Sequence, residues 1–353
     1  MTHVLASPRA EAFMFGPRGP LSAMLHFALP LPPDDIALDG LAATVDEALR
    51  TDDVLYDDDV QLALFLLYAT AYGSLRRIDP AWEWQTDLLQ ARARLEHAFE
   101  RRLRDTVPVG PLPEATQDAV ARRLFEMTAP TSAPSLSRFV AKKATREQLD
   151  EFLILRSVYT LREADPHSWA IPRLTGRAKA ALVEIQSDEY GGGDPERVHA
   201  AIFARTMRGA GLDDTYGAYI ESVPAITLAA QNMMSMFGLN RRLRGAIVGH
   251  LAAFEMTSSL PNRSYGDGFR RHGFGREVTW YFDEHVEADA VHEQIAGRDL
   301  AGALAEDEPE LLGDIMFGAA CCLAVDDAAG EHTLNAWSAG RSALRTPVTA
   351  AKG

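Results

Sequence analysis

Between Trp280 and Ala296 the chain reads WYFDEHVEADAVHEQIA, and within it stand His285, Asp289 and His292. Spacings of four and three residues put all three on one face of an α-helix. Two imidazoles and a carboxylate on one stripe are what a metal site between packed helices draws on. Asp283, Glu284, Glu287 and Glu293 belong to the same stretch, so a solvated amphipathic helix weighs equally on spacing alone. Tyr281, Phe282, Val286 and Val291 fall on the opposite faces.

Further donors lie elsewhere. Glu255 sits in GAIVGHLAAFEMTSSL, where the only other ionisable residue is His250. A carboxylate in such surroundings is costly unless paired or metal-bound. Glu189 and His199 flank three glycines in EIQSDEYGGGDPERVH. Each mid-helix glycine costs about 1 kcal/mol against alanine, a cost offset where a bend makes a carboxylate and an imidazole converge. Glu184 and Asp188 are nearby carboxylates able to take the place of Glu189. Glu163 falls at a helix C-terminus, where the dipole disfavours negative charge; a solvent-facing glutamate is an equal reading there. Three imidazoles with three or four carboxylates and no thiolate suit two first-row metals, iron or manganese rather than structural zinc. Glu-x-x-His does not occur as the pair that ferritin-like bundles use, so the scaffold differs from theirs.

The elements that must carry these residues read as helices. Thr145 and Gln148 form a capping box for a helix over 146–164, which Asp165-Pro166 ends. Others are predicted over 41–50 with Asp39 as cap, from Val60, over 80–106, 114–127 and 176–190, and from Asp194 as N-cap with Pro195 in the first turn to Arg208. Four more cover 224–237, 240–258, 276–296 and 309–327. The first forty residues read as an irregular arm. Strand signals are nearly absent, so the fold class is all-α. VPVGPLP at 107–113 breaks the pattern, and we divide the chain into an N-terminal helical region, 1–125, and a metal-bearing bundle, 126–345.

Composition narrows the function. The 353 residues carry 35 Lys plus Arg against 50 Asp plus Glu, a net charge of −15, which excludes non-specific nucleic-acid binding through phosphate neutralisation. The two cysteines, Cys321 and Cys322, are adjacent and read as reduced core residues. No secretory signal is evident in MTHVLASPRAEAFMFGPRGP, and the apolar run Val60–Ala71 is too short to span a bilayer. The expected protein is soluble and cytoplasmic, without a membrane partner.

In combination, EIQSDEYGGG followed by DPERVH, then GHLAAFEMTSSLPN, then FDEHVEADAVHEQ resemble the core helices of the heme-oxygenase-like diiron oxidases and oxygenases, over roughly residues 130–340. The resemblance implies a seven-helix heme-oxygenase-like bundle with two irons and no heme, O2 as co-substrate and an external electron donor, protein or small reductant. It implies Glu189 and Glu255 as bridging or terminal carboxylates, His199, His285 and His292 as terminal nitrogens, Asp289 as a further carboxylate, and Glu163 as an additional ligand. The region before the bundle is similar to the N-terminal dimerising region of nitrosourea synthase, a family member that oxygenates a guanidine, which implies a homodimer. No counterpart of that enzyme's cupin domain is expected. The acidic ligand helix should repel itself without metal and order on iron loading.

Three functions compete. The first is N-oxygenation of an amine, amidine or guanidine in specialised metabolism. The second is oxidative fragmentation of a fatty or amino acid, for which Ile226–Leu239, rich in Met and Phe, would line a tunnel, although such a stripe is more often core. The third is a metal-free helical scaffold. Asn262 and Arg263 in SLPNRSYGDG are candidates to hold a substrate carboxylate, with an exposed loop arginine as the blander reading.

Overall fold

A computed structural model describes residues 13–131 and 134–348, and for residues 287–290 the backbone alone. The described chain is all-α, with no strand. In order, the helices are α1 (Pro20–Ala28), α2 (Leu41–Ala48), α3 (Asp58–Ala69), α4 (Thr86–Thr106), α5 (Gln117–Met127), α6 (Leu136–Lys142), α7 (Arg146–Thr160) and α8 (Asp165–Ser168). They continue with α9 (Gly176–Glu189), α10 (His199–Ala210), α11 (Ala225–Leu239), α12 (Arg244–Met256), α13 (Ser259–Arg271), α14 (Arg276–Gln294), α15 (Ala303–Asp307) and α16 (Leu312–Ser338).

Local chemistry sets most boundaries. The Asp57 carboxylate accepts from the Val60 amide at the start of α3, and every side chain from Val60 to Ala69 is buried, as expected of a helix apolar all round. The Thr145–Gln148 capping box opens α7 as predicted. Elsewhere the sequence reading needs correction. The first forty residues are not simply irregular: α1 forms there, its Leu21 and Ser22 amides held by the Asp59 carboxylate. Asp39 does not cap α2; Gly40 occupies that place in a left-handed conformation, φ +82°. A short 3₁₀ turn at Pro80–Trp82 precedes α4.

Two corrections bear on the site. Helix α7 stops at Thr160 rather than Ala164, because Ala164 takes a left-handed φ of +72°, and Asp165-Pro166 starts α8 instead of merely ending its predecessor. Pro166 lies in the first turn of α8, where its missing N–H costs nothing. Helix α10 begins at His199, not Asp194; the Asp194 carboxylate serves only a local turn to the Glu196 amide. A third concerns SLPNRSYGDG, which is helix α13 and no loop. Asn262, Tyr265 and Phe269 recur at spacings of three and four on its buried stripe, a period that Pro and Gly obscure in the sequence. Arg263 is exposed on the other side.

Buried apolar side chains form two clusters. The larger runs from Phe13 to Val325 and includes α3, α4, α11, α12 and α16. The smaller, built on Phe152, Phe203, Phe269 and Phe282, joins α7, α10, α13 and α14. Helices α12 and α16 touch backbone to backbone: a Cβ on Gly249 would lie 1.8 Å from the Ile315 carbonyl oxygen, and one on Gly318 1.9 Å from that of Ala246. Gly245 meets Leu311 four residues earlier, so the contacts step together and the helices run in the same direction. After α14 the chain continues as a π-helical stretch, Ile295–Gly302, a widening often found beside functional residues. Among the described residues, no helix is long and apolar enough to cross a membrane. Both cysteines are free and buried.

Candidate metal centre

Helices from both apolar clusters contribute to one polar nucleus. Glu189 closes α9, His199 opens α10, Glu255 lies near the end of α12, and His285 and His292 project from α14. Glu163 stands in the turn after α7, next to the left-handed Ala164. All six are buried. Their donor atoms gather into two groups: Glu163, Glu189, His199 and His285 in one, Glu189, Glu255 and His292 in the other, with the atoms of each group within 4.8 Å of one another. Glu189 belongs to both. The structure thus brings together six of the seven residues singled out from the sequence; the side chain of Asp289 lies outside the described residues. Glu163 is not solvent-facing, the alternative weighed for it above.

The inner atoms are arranged for a cation. His199 Nδ1 is 2.9 Å from Glu189 Oε2, and His292 Nδ1 is 3.4 Å from Glu255 Oε2. Both nitrogens are buried, yet among the described residues neither has a hydrogen-bond partner. A buried ring nitrogen that faces a carboxylate without bonding it is costly, and an ion between the two removes that cost. The donor set of imidazoles and carboxylates fits iron.

The outer atoms fix the ligands' orientation. Tyr281, one turn before His285, donates its hydroxyl to Glu163 at 2.8 and 2.9 Å to the two oxygens. The Tyr281 carbonyl accepts from His285 Nδ1 at 2.8 Å, which turns Nε2 toward Glu163, 3.6 Å away. Asp188 accepts from His292 Nε2 at 3.0 Å, leaving Nδ1 for the interior. Such outer contacts set the tautomer and bearing of a metal-binding histidine. Sequence reasoning had placed Tyr281 on the opposite face, although its i, i+4 relation to His285 marks the same one. It had offered Asp188 as a substitute for Glu189; the two have different partners.

Charge in the nucleus is strongly coupled. Burial opposes ionisation of Glu189, but His199, with His285 and His292 behind it, pulls its pKa down to about 2. Burial, reinforced by Glu189, pushes Glu255 up despite His292. Burial works against a charged His292, yet Glu255 and Asp188 lift it to about 9, and Glu189 likewise outweighs burial to raise His199. The protons held by these histidines stand where a cation would, so metal binding releases them.

His167, which borders the same nucleus, is paired with His250. His167 Nε2 and His250 Nδ1 are 3.2 Å apart and fully buried. Burial lowers His167 from 6.5 to about 4 and takes His250 well below its usual range. Both pKa values are lower folded than unfolded, so the unfolded chain binds more protons below pH 6.5 and stability falls as the pH drops from there. The slope is about 1.4 kcal/mol per pH unit for each imidazole. Over the same range His199, His292 and Glu255, whose pKa values are raised, act the other way, so the test is a comparison: urea unfolding of the metal-free protein between pH 7 and pH 5 should lose less stability in His250→Phe than in wild type. Identical pH dependence in the two contradicts the neutral buried pair.

A protein-family model described as iron-containing redox enzyme matches residues 150–327, half of the chain. The match starts in α7, ends in α16 and spans all the residues of both donor groups. Comparison with curated proteins finds no match.

Proposed function

Because the chain belongs to the family of iron-containing redox enzymes, which makes it an oxidoreductase of iron-dependent oxygenase or oxidase kind, we propose that it holds two irons and uses O2 to oxygenate a nitrogen of an amine, amidine or guanidine. The observation that carries the two-iron part is Glu189, whose carboxylate belongs to both donor groups. A carboxylate offers two oxygens and so can serve two ions at once. Glu163, His199 and His285 would complete one position, Glu255 and His292 the other, with Asp289 on the same helix as His285 and His292.

Reduced iron supplies the electrons that activate O2. The protein's own groups prepare the place. Tyr281 keeps both oxygens of Glu163 aimed inward, and Asp188 keeps His292 turned the same way. Tyr159 and Phe254, ring against ring at 5.3 Å, wall the nucleus from an adjoining cavity and limit water. Burial, then Glu163 and Glu189, hold the Tyr159 phenol well above its usual pKa, so it stays a neutral hydrogen-bond donor beside that cavity. The reading also includes an external electron donor and a homodimer formed through residues 1–125.

Anaerobic titration with ferrous iron tests it. We expect two equivalents to bind per chain, followed by a transient visible absorption on mixing with O2 whose decay quickens with an accepted amine or guanidine. A chain that binds no iron is a scaffold, and the proposal fails.

A further inference from the structure

Beside the metal nucleus lies a cavity of about 470 Å³ between α7, α11, α13 and α16, within the size range of small-molecule sites. It shares Tyr159, Phe254 and Ser258 with the nucleus, so a molecule filling it is one side-chain layer from the donor groups.

The cavity holds polar groups with nothing to bind. Gln231 is 2% exposed, and among the described residues neither end of its amide has a partner. Asn262 is 1% exposed; its nitrogen donates to Ser258, but its oxygen has no donor. The Thr160 hydroxyl is fully buried and also unpartnered among the described residues. Leaving a buried polar group unpaired costs about 1–3 kcal/mol, and three around one space point to a polar occupant.

Two charges face the same space. The Arg156 guanidinium lies to one side of the packed rings of Phe152 and Tyr265, 5.4 and 5.5 Å from their centroids; among the described residues it makes no ion pair, and its Nε has no acceptor. Asp326, on α16, has the Cys322 thiol at 4.0 Å as its hydrogen-bond neighbour, and no cationic partner among the described residues. Its carboxylate is accessible to the space it lines, and an accessible carboxylate is anionic at neutral pH. The two charges attract each other but form no ion pair among the described residues.

We infer that this cavity binds a small amphoteric substrate, its anionic group at Arg156 and its cationic nitrogen at Asp326, with Gln231 and Asn262 completing the hydrogen bonds. A basic α-amino acid or a close derivative has this chemistry. A fatty acid does not: its tail would leave Asp326, Gln231 and Asn262 desolvated and unpaired, and Asp327 and Glu331 at the same cavity repel a second carboxylate. This deepens the proposed function and rests on it only for what happens to the bound molecule.

Calorimetric titration with L-arginine, agmatine (the same cation without the carboxylate) and octanoate tests the assignment, on metal-free protein and on protein loaded with ferrous iron under argon. Arginine should bind wild type more tightly than agmatine, and octanoate least. Arg156→Met should weaken arginine by about thirtyfold or more, as expected for truncating one partner of a buried charge pair, and leave agmatine nearly unchanged. Asp326→Asn, isosteric and safe for folding, should weaken both. Octanoate binding as tightly as arginine, failure of both cations to bind wild type, or variants that leave arginine affinity unchanged would overturn the inference. Iron counted in the same samples separates the two ideas: selective arginine binding without iron leaves the pocket standing and sinks the diiron reading, whereas two irons with no cation binding does the reverse.

Discussion

Glu189→Gln should remove both irons, while His199→Ala and His292→Ala should each remove one. Glutamine keeps the volume of the side chain and loses its charge, so packing around α9 is preserved. Glu189 is the residue common to the two donor groups, and the carboxylate that three histidines hold ionised. Without it the first position keeps one carboxylate, Glu163, and the second keeps Glu255, whose own pKa burial pushes up. Neither remainder has the anionic charge to retain a ferrous ion against water. Ferrous titration under argon, with a thermal melt to confirm folding, reads the result directly. A folded Glu189→Gln protein that still binds one iron stoichiometrically would show two independent sites and contradict the shared carboxylate.

The second large effect is on folding. Gly249→Ala should destabilise the protein by about 3 kcal/mol or more, the upper range for overpacking. The added methyl would sit 1.8 Å from a backbone oxygen of α16, and a helix backbone cannot step aside as a side-chain tip can. Gly313→Ala, on α16 itself, meets nothing within 4 Å and should stabilise by up to about 1 kcal/mol through helix propensity. Urea midpoints of the two variants should therefore move in opposite directions. Equal midpoints would mean that the α12–α16 contact is looser than its geometry.

The sequence carried the site further than it carried the helix ends. His285 and His292 were legible because a helix converts spacing into a shared face, and Glu255 because a lone carboxylate among Ala, Leu and Phe has few harmless explanations. The end of α7 was not legible: it depends on Ala164 adopting a left-handed backbone, which nothing in alanine's chemistry announces. Helix α13 was missed because Pro261, Gly266 and Gly268 look like loop residues, although proline sits in the first turn and the glycines face packed neighbours. The cavity charges were beyond reach for another reason. Arg156 and Asp326 are 170 positions apart in the numbering, and each looks like an ordinary surface residue until tertiary packing sets both at one cavity.

The backbone contact between α12 and α16 also acts as a gauge. Glu255 lies six residues past Gly249, and Asp326 eight past Gly318; at 1.5 Å per residue those are about 9 and 12 Å along two helices that run the same way. The metal-facing carboxylate and the substrate-facing one are thus measured off from the same joint. Sliding one helix along the other would shift Glu255 relative to Asp326 and is blocked by the joint itself. The separation between the donor groups and the Asp326 carboxylate is then a constant of the scaffold. Descendants of this chain would adapt to longer or shorter molecules by exchanging side chains on α7, α11 and α13, with the ruler left untouched.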